Sequence, residues 1–139
     1  MTEWKFTKKI EDMTPEETRE RIRAGYEFPM PDLFIMPYLG TEGEVTYSTT
    51  DLVARCPATG ISDVYSLSLK FVPYEGIPEL KSLKLYLNAY QDLPISHEHL
   101  ASKIHNDFVR QVKPKTLETL LVAAIRGGIT TTVKLDKHD

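Results

Sequence analysis

The sequence predicts an α+β domain, an antiparallel sheet of four strands with two helices packed on one face. Three observations carry that expectation. Tyr65, Leu67, Leu69 and Phe71 alternate with Ser66, Ser68 and Lys70, the period of a strand with one buried face. Leu100, Ile104, Phe108 and Val112 recur on one stripe at helical spacing. Arg126-Gly127-Gly128 marks a turn between two runs of strand-forming residues.

Taken in order, the chain opens on a helix start. Thr14 reads as N-cap, Pro15 as the first helical residue and Glu17 as the partner in a capping box. The helix runs to Ala24, with Gly25 as its stop. From Glu27 to Leu39, three of the nine prolines stand among apolar residues, which predicts an extended, irregular segment packed on the body. Residues 1–42 thus form an N-terminal helix and Pro-rich extension of one domain spanning 1–139. Strands follow at Glu44 to Arg55 and Asp63 to Val72. After Pro78, Leu80, Leu83, Leu87 and Tyr90 predict a helix with its apolar stripe toward the core. A longer helix starts near Ser96 and ends before Pro114. Thr116 to Ile125 reads as a buried strand. Ile129, Thr131, Val133 and Leu135 then alternate with Thr130, Thr132 and Lys134 in a last strand. Strand, strand, helix, helix, strand, strand leaves two open sheet edges, and pairing between copies in a closed oligomeric ring would cover them.

Composition narrows the function. The chain has 139 residues, 41% of them hydrophobic and 27% charged, as for an ordinary globular domain. A net charge of -3 argues against direct nucleic-acid binding, whose footprint is basic. Met1-Thr2-Glu3-Trp4-Lys5 has no apolar stretch resembling a leader, no segment approaches membrane-spanning length, and the cytoplasm is the expected compartment. One cysteine supplies neither an internal disulfide nor a cysteine-rich zinc site.

That cysteine, Cys56, lies at the end of one strand-like run, and Asp63 begins the next. A lone cysteine is more often an inert apolar filler than a nucleophile. Arg55 beside it, the loop made by Pro57 and Gly60, and a carboxyl within reach across the loop favour the reactive reading. Lys81 and Lys84 share a helix face beside Ser82, near a helix N-terminus that favours anions, although exposed lysines are commonplace. Glu98 serves the dipole of the long helix or accepts from the N–H groups of a purine-like ring, with His97 as neighbour. His97 and His99 are two apart and diverge on a helix, so no metal site is expected.

Cys56-Pro57 with Asp63, the run Glu79-Leu80-Lys81-Ser82-Leu83-Lys84-Leu85-Tyr86, His97-Glu98 and Arg126-Gly127-Gly128 together resemble the NADPH-dependent 7-cyano-7-deazaguanine reductases. These are the nitrile reductases of queuosine biosynthesis, the QueF family. The resemblance covers roughly Asp51 to Ile129 and is of the short, single-module type. It implies the tunnelling fold, with subunits assembled into a β-barrel ring, as a pentamer or decamer. It implies Cys56 as the nucleophile that forms a thioimide with the nitrile, and Asp63 as general acid/base. Glu98, His97 and Glu79 fall to the 7-deazapurine substrate; Lys81, Ser82, Lys84, Tyr86 and Arg126 fall to NADPH. Two hydride transfers would then give the amine. No Gly-rich dinucleotide fingerprint is present, so cofactor binding would be of a non-Rossmann kind.

Two other readings use the same residues. An amidinotransferase acting on the nitrile base in tRNA, as in archaeosine synthesis, keeps the Cys and Asp without NADPH; the Lys81–Lys84 signature and the acidic charge speak against it. A non-catalytic purine- or pterin-binding oligomer would leave Cys56 structural.

Overall fold

The computed structural model describes Trp4, Phe6 and residues 8–138. Of the start from Met1 to Lys5, on which the expectation of no leader rested, only Trp4 lies among those residues. Helix α1 (Pro15–Tyr26) carries the expected capping box: Thr14 accepts from the Glu17 N–H, and the Glu17 carboxylate accepts from the Thr14 N–H. It does not stop at Gly25, which is helical and buried. A Cβ there would lie 2.0 Å from the Pro94 carbonyl oxygen, so the glycine serves a close approach between α1 and a later loop.

The Pro-rich segment contains a short strand that the prolines hid. β1 (Ile35–Pro37) pairs antiparallel with β4 (Gly76–Pro78) in a small second sheet. It is fastened by Leu33 N–H to Gln111 Oε1 at 2.7 Å and by Phe34 N–H to Ser82 Oγ at 2.9 Å.

The main sheet runs β2 (Val45–Arg55), β3 (Ser62–Val72), β5 (Thr116–Ala123), β6 (Thr132–Lys137), all antiparallel neighbours in that order. Helices α2 (Leu80–Asn88) and α3 (His97–Val112) fall between β4 and β5 in the chain. Leu52, Tyr65, Leu67, Leu69, Phe71, Leu117 and Leu121 form the buried face of the sheet, closed by Leu83, Leu100, Ile104 and Phe108 of the helices. Burying these side chains contributes about 1.5–3 kcal/mol each, the main drive for the two layers. The strands β2 and β6 are the sheet edges, and β2 carries an irregularity between Thr49 and Leu52.

Two strand-end expectations shift. β5 ends at Ala123 and β6 begins at Thr132, and the Ile129 side chain stands exposed. Between them, Gly127 and Gly128 have φ of 55° and 80°, and Arg126 and Ile129 exchange both backbone hydrogen bonds. Two successive positive φ values define the tight hairpin turn whose twist matches its strands. In α2 the buried stripe is Leu83 and Tyr86, continued by Tyr90 in the following turn; Leu80, expected inside, is exposed at the first helical position.

Candidate functional site

Register sets Cys56 and Asp63 at the two ends of one hairpin loop. Ala54 pairs with Asp63 and Arg55 with Ser62, so the hairpin closes through Cys56–Ile61. That loop is fixed by Cys56 N–H to Ile61 O at 2.9 Å and Gly60 N–H to Cys56 O at 2.8 Å. Asp63 stands two residues before Tyr65, so it extends the core-facing row of β3 and is itself buried. Cys56 is half-buried and a free thiol. The far side of the site comes from another pairing: Arg55 N–H donates to Leu93 O, and Ile95 N–H donates to Arg55 O, both at 2.9 Å. This lays the chain entering α3 against the end of β2. His97 and Glu98 follow directly, behind the N-cap Ser96.

Arg126 closes the arrangement. Its Nε lies 2.8 Å from Asp63 Oδ1 and its Nη2 donates to Ser62 O at 2.9 Å. Tyr65 stands at the centre, with its hydroxyl 2.7 Å from His97 Nδ1 and the two rings edge to face at 5.3 Å. Burial pushes the Tyr65 phenol well above its ordinary range. The ionisable groups of Asp63, Cys56 and Glu98 push the same way wherever they are charged, and Arg126 opposes them. Five groups from four separate stretches of chain thus act on one hydroxyl. Sequence periodicity had placed Tyr65 only in the core; the signal for more is its position two residues beyond Asp63, on the same face.

The α2 signature is spent differently from expectation. Glu79 is the N-cap, its carboxylate accepting from Ser82 N–H at 2.9 Å and Lys81 N–H at 2.6 Å. Two of the free N–H groups of the helix start are therefore already satisfied by an anion of the chain itself. Ser82 Oγ donates to Glu79 O and accepts from Phe34 N–H, so it ties α2 to the segment before β1. Tyr86 is buried, its hydroxyl bonded to Tyr90 and to Asp107 Oδ2, both at 2.6 Å. Lys81 and Lys84 remain exposed. Lys84 borders a cavity of about 540 Å³ between α2 and β2, whose wall also includes Leu80, Leu87, Thr46, Ser48 and Asp51.

Comparison with known proteins bears on this constellation. A family model described as "QueF-like protein" matches residues 62–139, more than half of the chain. The chain belongs to the QueF-like family. It is 38% identical over 89 residues to the NADPH-dependent 7-cyano-7-deazaguanine reductase of Caldicellulosiruptor bescii, covering 64% of this chain and 68% of that one. With the protein of the same name from Anaeromyxobacter sp. it shares 37% over 105 residues, covering 76% and 80%. With that from Trichodesmium erythraeum it shares 31% over 105 residues, covering 76% and 74%. Among solved structures, the apo archaeosine synthase QueF-Like superposes with a TM-score of 0.66 at 18% identity, over 72% of this chain and 98% of that one. That likeness is one of fold.

This QueF-like chain also braces its cysteine loop from outside the family match. The Phe6 ring lies under two guanidinium groups, Arg55 at 5.1 Å and Arg21 at 5.7 Å. Arg21 Nη1 donates to Pro57 O at 3.2 Å, and Arg55 Nε donates to Gly60 O at 2.9 Å. Arg55 thus holds the loop that carries the thiol. Neither Phe6 nor Arg21 was legible as part of the site, because both sit in the extension, far from Cys56 in sequence.

Proposed function

We propose that the chain reduces the nitrile of 7-cyano-7-deazaguanine to the primary amine, 7-aminomethyl-7-deazaguanine, at the expense of NADPH, within queuosine biosynthesis. The observation that carries this reading is a free thiol and a buried carboxyl at the two ends of one hairpin loop, the carboxyl paired with a guanidinium from a second hairpin, in a chain whose relatives bear the reductase name.

The residue chemistry suits the reaction. A nitrile is a poor hydride acceptor because reduction builds charge on nitrogen. Asp63, held by Arg126, takes the Cys56 thiol proton; the thiolate adds to the nitrile carbon; Asp63 returns the proton to the nitrile nitrogen. The product is a thioimide, with the S–C bond formed and one C≡N π bond consumed. NADPH supplies two hydrides per nitrile. After the first, Cys56 leaves as thiolate and an imine forms, shielded from hydrolysis in the closed site. The second hydride, with a proton passed from solvent through Asp63, gives the amine, and a further solvent proton restores the Cys56 thiol. Glu98, an acceptor, suits the N–H groups of the deazaguanine ring, with His97 beside it.

For the cofactor, the two exposed ammonium groups of Lys81 and Lys84 on one helix fit anionic phosphates, and the adjoining cavity offers apolar and hydroxyl surface. Glu79, Ser82 and Tyr86 support that face from behind, as cap, tie and core anchor. Free edges at β2 and β6 support association of copies into a ring, and a reduced single thiol suits the cytoplasm. Among the described residues, no helix is long and apolar enough to cross a membrane.

Mass spectrometry of the protein incubated with the nitrile alone tests the proposal. The expected result is one substrate mass added to the wild-type chain and none added to Cys56→Ala. An adduct that persists in the variant removes Cys56 from its role.

A further inference from the structure

The Tyr65–His97 contact holds more than packing. Tyr65 is 1% exposed, and His97 Nδ1 is the hydrogen-bond partner of its hydroxyl among the described residues. His97 Nε2 has no protein partner there. A neutral imidazole offers one donor and one acceptor, and an imidazolium offers two donors. If Nδ1 carried a proton, as it does in the imidazolium and in one neutral tautomer, it would donate to the phenol oxygen. The buried phenol O–H would then be stranded without an acceptor, which disfavours that arrangement. If Nδ1 is bare, the phenol donates to it and both groups are satisfied. The phenol stays protonated for this role, since burial and the surrounding anions disfavour phenolate.

We propose that Tyr65 is a positioning residue for His97, fixing the neutral imidazole with its proton on Nε2. His97 then meets a ligand as a donor from Nε2, complementary to the acceptor-only carboxylate of Glu98, the next residue. Tyr65 thereby sets which atoms the pair can recognise, an acceptor beside N–H groups, without touching the ligand. This deepens the reductase reading and rests on it only for the identity of that ligand.

Long-range ¹⁵N–¹H correlation spectra of histidine-labelled protein at neutral pH, without substrate, test it. His97 is assigned by the signals lost in His97→Gln. The expected wild-type pattern is a protonated Nε2 and a bare Nδ1. In Tyr65→Phe, which keeps the ring, that pattern moves toward a mixture of tautomers. Turnover by Tyr65→Phe falls by about tenfold or more, with KM for NADPH unchanged. A wild-type proton on Nδ1 overturns the inference, as does a tautomer pattern unaltered in a folded Tyr65→Phe. The wild-type spectrum stands even where the variant does not fold. It is read with no nitrile present, so failure of the reductase reading leaves it interpretable.

Discussion

Arg126 Nε lies 2.8 Å from Asp63 Oδ1, so the tip of the second long hairpin holds the carboxyl that opens β3. The resemblance assigned Arg126 to the cofactor, whereas the geometry pairs it with the Asp63 carboxylate. Arg126→Gln is expected to lower kcat by about tenfold or more. KM for NADPH is expected to stay within about twofold. Steady-state kinetics with each substrate varied separates the two roles, since a raised KM with kcat preserved would return Arg126 to the cofactor.

In the proposed reading, Lys81 and Lys84 are the exposed cations left to attract the cofactor phosphates. Because exposed charges each contribute on the order of 0.5–1 kcal/mol, Lys81→Gln with Lys84→Gln raises KM for NADPH by about tenfold. The effect shrinks as salt is added to the wild type. An unchanged KM moves cofactor binding away from α2.

Gly60 has φ of +77°, and a Cβ there would sit 2.9 Å from the Phe6 ring. Gly60→Ala is expected to cost about 1–2 kcal/mol in urea unfolding. Combined with Phe6→Ala, the loss is smaller than the sum by at least about 0.5 kcal/mol, because the clash is relieved while the backbone strain remains. Strict additivity would separate the extension from the cysteine loop.

His105 is buried with Nδ1 2.8 Å from Thr119 Oγ1. Burial lowers its pKa below 6.5, with Asp136 opposing. The unfolded chain therefore takes up the proton first as pH falls. The contribution of His105 to stability is full above pH 6.5 and is lost as pH drops through the folded value. Thermal unfolding followed from neutral to mildly acid pH is expected to show a falling Tm that flattens in His105→Gln. Equal slopes in the two proteins would exclude His105 as the source.

Periodicity made the main sheet and the two longer helices readable, because Leu67, Leu69 and Phe71, or Leu100, Ile104 and Phe108, leave no other way to bury one face. The β1–β4 pair was not readable. Three residues ending in Pro37 carry no alternation, and their partner lies across the whole first hairpin. Gly25 resembled a helix stop since nothing local reveals the Pro94 carbonyl packed against it. In the site, Cys56 and Asp63 were legible from the strand ends they occupy. The commitments of Arg126, Ser82 and Tyr86 were not, since each is set by a partner distant in sequence. Polar residue types showed that hydrogen bonds would be made, and only the fold showed with whom.

The most direct measurement is nicotinamide absorbance during turnover of a limiting amount of 7-cyano-7-deazaguanine with excess NADPH. The account predicts the loss of two equivalents of NADPH per nitrile, with the primary amine as product. Folded protein that consumes no NADPH in the presence of the nitrile would contradict it.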